Sequence, residues 1–203
     1  DQLGRYSFSN QPPITKWNLS RFAECLIPLI DKNEDKAIQL ATEIIDNFQN
    51  IYEEKWLNMM RDKLGLFGKS KDDKKLIDDL LSWMEKNKAD YTNTFCYLMN
   101  IKIANNSLYS DKDFINWSNE WQNRISINDN SKEKSLKLMK ETNPVIIPRN
   151  HKVEEALKAA NEDNLEVMNK MLSKFDNPYN EQKDIEDYQL PSLDDSYQTF
   201  CGT

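Results

Sequence analysis

Four glycines in 203 residues, at positions 4, 65, 68 and 202, limit this chain more than any other feature. An all-β fold needs many tight turns, and those turns draw on glycine for backbone conformations that other residues avoid. Phosphate-cradling loops need it for close approach. A mostly helical chain is the expectation. Its 38% hydrophobic and 30% charged residues suit a globular fold with one sizeable core or two small ones.

Helical spacing runs along most of the sequence. Pro12-Pro13 blocks helix ahead of it, and Thr15 can cap a helix through Trp17, Phe22, Leu26 and Ile27 that Pro28 ends or kinks. Asp31 or Asn33 can cap the next one. There Ala37, Ala41, Ile44, Ile45, Phe48, Tyr52, Trp56, Met59 and Met60 recur every three or four residues, predicting the longest helix of the chain, up to Gly65. Leu76, Ile77, Leu80, Leu81 and Met84 give another amphipathic helix, and a more apolar stretch follows from Tyr91 to Ile103. Phe114, Trp117, Trp121 and Ile125 form an aromatic stripe whose spacing fits core packing better than base stacking. A short helix starting near Ser131 and a docked pair beginning at Asn150, which caps it, complete the helical part. From Asp176 onward the composition is polar, with spaced anchors at Tyr179, Tyr188, Leu190, Leu193, Tyr197 and Phe200, as in an extended tail laid over the body.

Charge and composition exclude several functions. A net charge of −7 argues against nucleic acid as a partner, and the lysines at 69, 71, 74 and 75 alternate with acids as on a solvated helix face. No apolar run approaches the roughly 18 residues of a membrane span, and the opening residues are too polar for a signal peptide, so a cytoplasmic protein without membrane contact is expected. Gly65-Leu66-Phe67-Gly68-Lys69-Ser70 imitates a phosphate loop, but Lys63 stands where its first glycine belongs and a helix precedes it. His151 is the one histidine, so a multi-histidine metal site is ruled out. The adjacent pairs Asp72/Asp73, Asp78/Asp79 and Asp194/Asp195 read as solvated surface. Cys25 and Cys96 sit among apolar residues and read as buried thiols, whereas Cys201 stands on the polar tail, where an accessible thiolate can react.

Three blocks carry a family resemblance. Gly4-Arg5-Tyr6, with Asn10-Gln11-Pro12-Pro13 and Trp17-Asn18-Leu19, resembles the "GRY-x-x-x-NQPP…WNL" segment of the selenoprotein O family, also called YdiU. Asn143-Pro144 through Ile147-Pro148-Arg149-Asn150-His151 to Val153-Glu154-Glu155-Ala156-Leu157 resembles its "NP-x-x-IPRNH-x-VEEAL" block, and Phe200-Cys201-Gly202-Thr203 resembles its cysteine- or selenocysteine-containing end.

That resemblance implies the C-terminal, large-lobe portion of a protein-kinase-like fold, all-α here, from a larger protein that transfers AMP from ATP to hydroxyl side chains of protein substrates. ATP and Mg²⁺ are implied for the parent and no cofactor for this portion. The sequence has no Asp-Tyr-Gly, Asp-Phe-Gly or His-Arg-Asp motif, so no catalytic, cofactor-binding or metal residue is assigned. The implied division is 1–14 as the end of the activation segment, 15–175 as a helical domain and 176–203 as the tail. Asp1, Gly4, Arg5 and Tyr6 then support the catalytic loop or dock substrate, Cys201 is the redox residue, and the upstream half of the parent is the main partner, without which these residues can self-associate. Two readings compete with a supporting half of an AMP-transferase: a non-enzymatic helical interaction module, and a thiol-redox protein acting through Cys201, which lacks the paired cysteines of efficient oxidoreductases.

Overall fold

A computed structural model describes residues 4, 5, 7–103, 105–127 and 132–192. Every regular element among them is helical, as the glycine count predicts, and no described helix is long and apolar enough to cross a membrane. The chain divides into two units, with the boundary after Asn58.

In the first unit a short 3-10 turn, Phe8–Asn10, leads into α1 (Gln11–Ile30), followed by α2 (Glu34–Asp46) and the start of α3 (Phe48–Lys63). The prolines do not hold α1 back to Thr15. They occupy its first turn, where an amide hydrogen has no helical acceptor and a fixed φ near −65° already suits the helix. Pro28 lies inside α1, which ends two residues later at Ile30. Asn33 caps α2 by accepting a hydrogen bond from the Lys36 amide at 3.0 Å. The expected long helix is in fact two, because the chain breaks step at Asn47, whose amide turns back to the carbonyls of Glu43 and Ile45. The longest helix among the described residues is therefore α1, with 20 residues.

The second unit holds α4 (Asp73–Lys86), α5 (Tyr91–Leu98), α6 (Lys112–Ser126), α7 (Lys132–Thr142), α8 (Asn150–Asn161), α9 (Glu166–Phe175) and the single turn α10 (Glu186–Gln189). Its core is built on the aromatic stripe of α6. Phe114, Trp117 and Trp121 are buried; Trp117 and Trp121 stack at 5.8 Å, and Trp83 of α4 meets Phe114 at 4.6 Å. Each indole also needs an acceptor once it leaves water. Trp117 donates to the Leu76 carbonyl at 2.8 Å, Trp121 to the Leu64 carbonyl at 2.9 Å and Trp83 to the Asp111 carboxylate at 2.9 Å. Asp111 caps α6 with the same oxygen, accepting from the amides of Asp113 and Phe114.

Gly65 stops α3 in the left-handed region at φ +67°, and the Leu66 amide reaches back to the Arg61 carbonyl at 2.9 Å. The phosphate-loop lookalike is thus a helix stop. Asn143, fully buried, holds the same end in place by donating to the carbonyls of Lys63 and Met139. In the hairpin of α8 and α9 only Ala156 and Met171 are buried, and Leu157, Leu165 and Leu172 stand about half exposed. Asn150 is the first helical residue of α8; the cap position falls to Arg149, whose side chain serves another purpose.

Candidate functional site

The residues nominated by sequence meet the structure only in part. Asp1, Tyr6 and Cys201 lie outside the described residues. Gly4 adopts φ +65°, and its carbonyl accepts from the Ser7 amide at 3.0 Å and from Asn10 Nδ2 at 2.7 Å. This turn sends the chain into α1. Arg5 lines a shallow recess of about 290 Å³ with Asn10, Pro13, Ile14 and Trp17. The guanidinium over the Trp17 ring is that of Arg21, 5.8 Å from its centroid, and the described residues lining the recess include no carboxylate.

The most organised polar group in the second unit was not legible as a site. Asp73 is fully buried, so reading it as solvated surface was wrong. One carboxylate oxygen accepts from Arg124 Nε at 2.6 Å; the other accepts from Arg61 Nε at 2.6 Å, the Ser70 amide at 2.9 Å and Arg124 Nη2 at 3.3 Å. Arg124 also donates to the carbonyls of Phe67 and Gly68, which fixes the loop between α3 and α4. Burial by itself raises an aspartate's pKa, but the hydrogen bonds from Arg124, Ser70 and Arg61, with the Arg124 charge, hold this one below its ordinary value. A carboxylate engaged on both oxygens by two cations is unavailable as a general base or metal ligand. The signal was present in the pattern: Asp73 precedes Leu76, Ile77 and Leu80 by three, four and seven residues, which places it on the buried stripe of α4. The neighbouring Asp78 and Asp79 do face solvent, paired with Lys74 and Lys75 one turn away.

A second clamp explains one member of the "IPRNH" block. Arg149 meets Asp90 through two bonds of 2.7 and 3.0 Å and donates to the Tyr188 carbonyl at 3.1 Å. Asp90 caps α5 through the Asn93 amide, Asn93 reaches the Gln189 carbonyl, and Gln189 reaches the Val145 carbonyl. The block therefore staples the segment after α9 onto α5. The buried anchors of that segment are Ile185 and Gln189, while Tyr179 and Leu190 remain exposed. Replacing Arg149 by Met, which keeps the stem and removes the fork, is expected to cost about 2 kcal/mol. Hydrogen exchange should quicken first around Tyr188 and Gln189, and unchanged protection there would contradict the clamp.

The two described cysteines differ. Cys96 is fully buried, its Sγ directed at the carbonyls of Val145 and Pro144, and burial pushes its thiol up to about 11. Cys25, expected to be buried, is exposed on α1, whose packing against α2 uses the side of Ser20, Ala23 and Ile27. At pH 8, alkylation followed by peptide mapping should modify Cys25 within minutes and leave Cys96 intact until the chain unfolds. Early loss of Cys96 would mean that its surroundings open.

The described residues contain no group of three or more His, Cys, Asp or Glu side chains able to hold a metal ion. Asp90 and Asp111 cap helices, Asp78 and Asp79 pair with lysines, and Asp73 is held by two arginines.

Comparison with known proteins decides the relationship. Residues 1–176 match the family described as protein adenylyltransferase SelO. The chain belongs to this family. The SelO match is supported by curated relatives named protein nucleotidyltransferase YdiU. The relative from Pelagibacter ubique is 56% identical, that from Clostridium beijerinckii 46% and that from Bacillus cereus 45%, each across the whole of this chain. The chain spans 42% of the length of each of those relatives.

Proposed function

We propose that these residues form the helical C-terminal part of a protein AMP-transferase, corresponding to the large lobe of a kinase-like fold, and that they supply scaffold and docking surface while the ATP and Mg²⁺ chemistry resides elsewhere in the longer protein. The hydroxyls of Ser, Thr or Tyr on other proteins are the acceptors in this reading. One observation carries the assignment of roles: in a chain of the SelO family, the charged side chains buried among the described residues, Arg61, Asp73 and Arg124, are bound to one another. Such groups hold a fold and have no free electron pair or proton to offer a substrate.

In the same reading Cys201 is the redox residue of the longer protein and pairs with a cysteine outside these 203 residues. Cys96 is a poor partner, being buried and protonated. Non-reducing peptide maps of the longer protein test this; Cys201 found only as a free thiol under oxidising conditions would remove the tether.

Titrating Mg²⁺–ATP by calorimetry into this chain, and into a chain of the relatives' full length that ends in it, tests the division of labour. Heat of binding is expected from the longer chain alone. The interaction-module reading draws on the bare apolar face of α1, and it gains ground if neither chain binds nucleotide.

A further inference from the structure

The first unit lacks a core of its own. Ala37 is the one buried residue among those described in it, and α1, its longest helix, buries none. The side of α1 toward α2 carries Ser20, Ala23 and Ile27 along a groove of about 930 Å³. At about 100° of turn per residue, Phe22, Cys25, the half-buried Leu26 and Leu29 fall on another side, with Leu19 and Ile30 along one edge and Trp17 on a third side. Phe22 is 60% exposed, Leu29 81% and Trp17 54%. Ile44 of α2 is 72% exposed as well, and it does not line the groove. A helix apolar on more than one side is the signature of a buried helix, not of a surface one.

We infer that α1 is an internal helix of the longer family protein, and that the face of Phe22, Cys25, Leu26 and Leu29 is covered by the portion of that polypeptide outside these 203 residues, which under the reading proposed above is the nucleotide-binding portion. Two observations select this occupant. Relatives matched along the whole of this chain devote only 42% of their length to it, so ample polypeptide is present to cover the face. The bare surface also spans more than one side: the α1 stripe, and Ile44 of α2 away from the groove. A second copy, even one that sets the α1 stripe against its partner's Ile44 side about a two-fold axis, binds only as far as its concentration allows. A covalently continuous segment can wrap both and binds at high effective concentration.

Cys25 sits within the face and reports on it directly. The rate of its reaction with N-ethylmaleimide, followed by peptide mapping, is to be compared between this chain and the chain of the relatives' full length that ends in it. Protection of Cys25 by roughly tenfold or more is expected in the longer chain, as for a site that reacts only on local opening. Equal rates would overturn the inference. So would protection already present in the 203-residue chain, whether it disappears on dilution, naming a second copy, or persists in the monomer, naming the chain itself. AMP transfer measured on the same samples separates the two proposals: protection without transfer removes the assigned activity and keeps the buried helix, whereas transfer without protection removes only the buried helix.

Discussion

Asp73→Ala is expected to destabilise the chain by about 3–5 kcal/mol, because it strands two arginines that are themselves nearly buried. The side chains of Arg61 and Arg124 are each 9% exposed, so water cannot take over the role of the lost carboxylate. The loss should appear as a lower midpoint in urea. The matching change at Asp78, where the Lys74 pair is open to solvent, should move that midpoint by no more than about 0.5 kcal/mol. Replacing the trio together, with Leu at Asp73 and Met at both arginines, should recover most of the loss, since the cost lies in unpaired buried charge and not in any special strength of the ion pairs. Acid acts on the same group. Its folded-state pKa lies below that of the unfolded chain, near 4 for an ordinary aspartate. The stabilisation is therefore complete above about pH 4 and is lost as pH falls through the lower folded-state value. Asp73→Ala should flatten that part of the stability profile.

Gly65→Ala is expected to cost about 3 kcal/mol, combining the left-handed backbone penalty with overpacking. Gly65 sits at φ +67°, and a Cβ there would lie 2.7 Å from the Ser135 carbonyl oxygen and 3.0 Å from Met139 Cγ. The first contact is with backbone, so relief requires α7 to shift as a whole, and Asn143 would lose its alignment with the Lys63 carbonyl. A loss below about 0.5 kcal/mol by thermal or chemical unfolding would show that α3 and α7 do not meet so closely.

Local chemistry made much of the fold legible. The α6 stripe and the helix stop at Gly65 each follow from a few neighbouring residues. What sequence could not supply was the state of each element after packing. The two helices split at Asn47 share one continuous apolar periodicity, so their separation left no trace in the pattern. Cys25 lies among apolar neighbours, and inferring burial from that presumed a covering layer that the first unit does not supply. Asp73 posed the opposite problem. Its charge suggested solvent while its helical position pointed inward, and only Arg61 and Arg124, 12 residues before and 51 after, reconcile the two. Arg149 was visible as part of a family block, yet its clamp joins Asp90 to Tyr188, residues 98 positions apart in sequence.

Intact-mass analysis after incubation with Mg²⁺, ATP and a mixture of acceptor proteins tests the central claim most directly, run with this chain and with a chain of the relatives' full length that ends in it. AMP adducts formed by the longer chain and none by the 203 residues is the predicted result; adducts formed by the 203 residues alone would place the nucleotide chemistry within them and contradict the account.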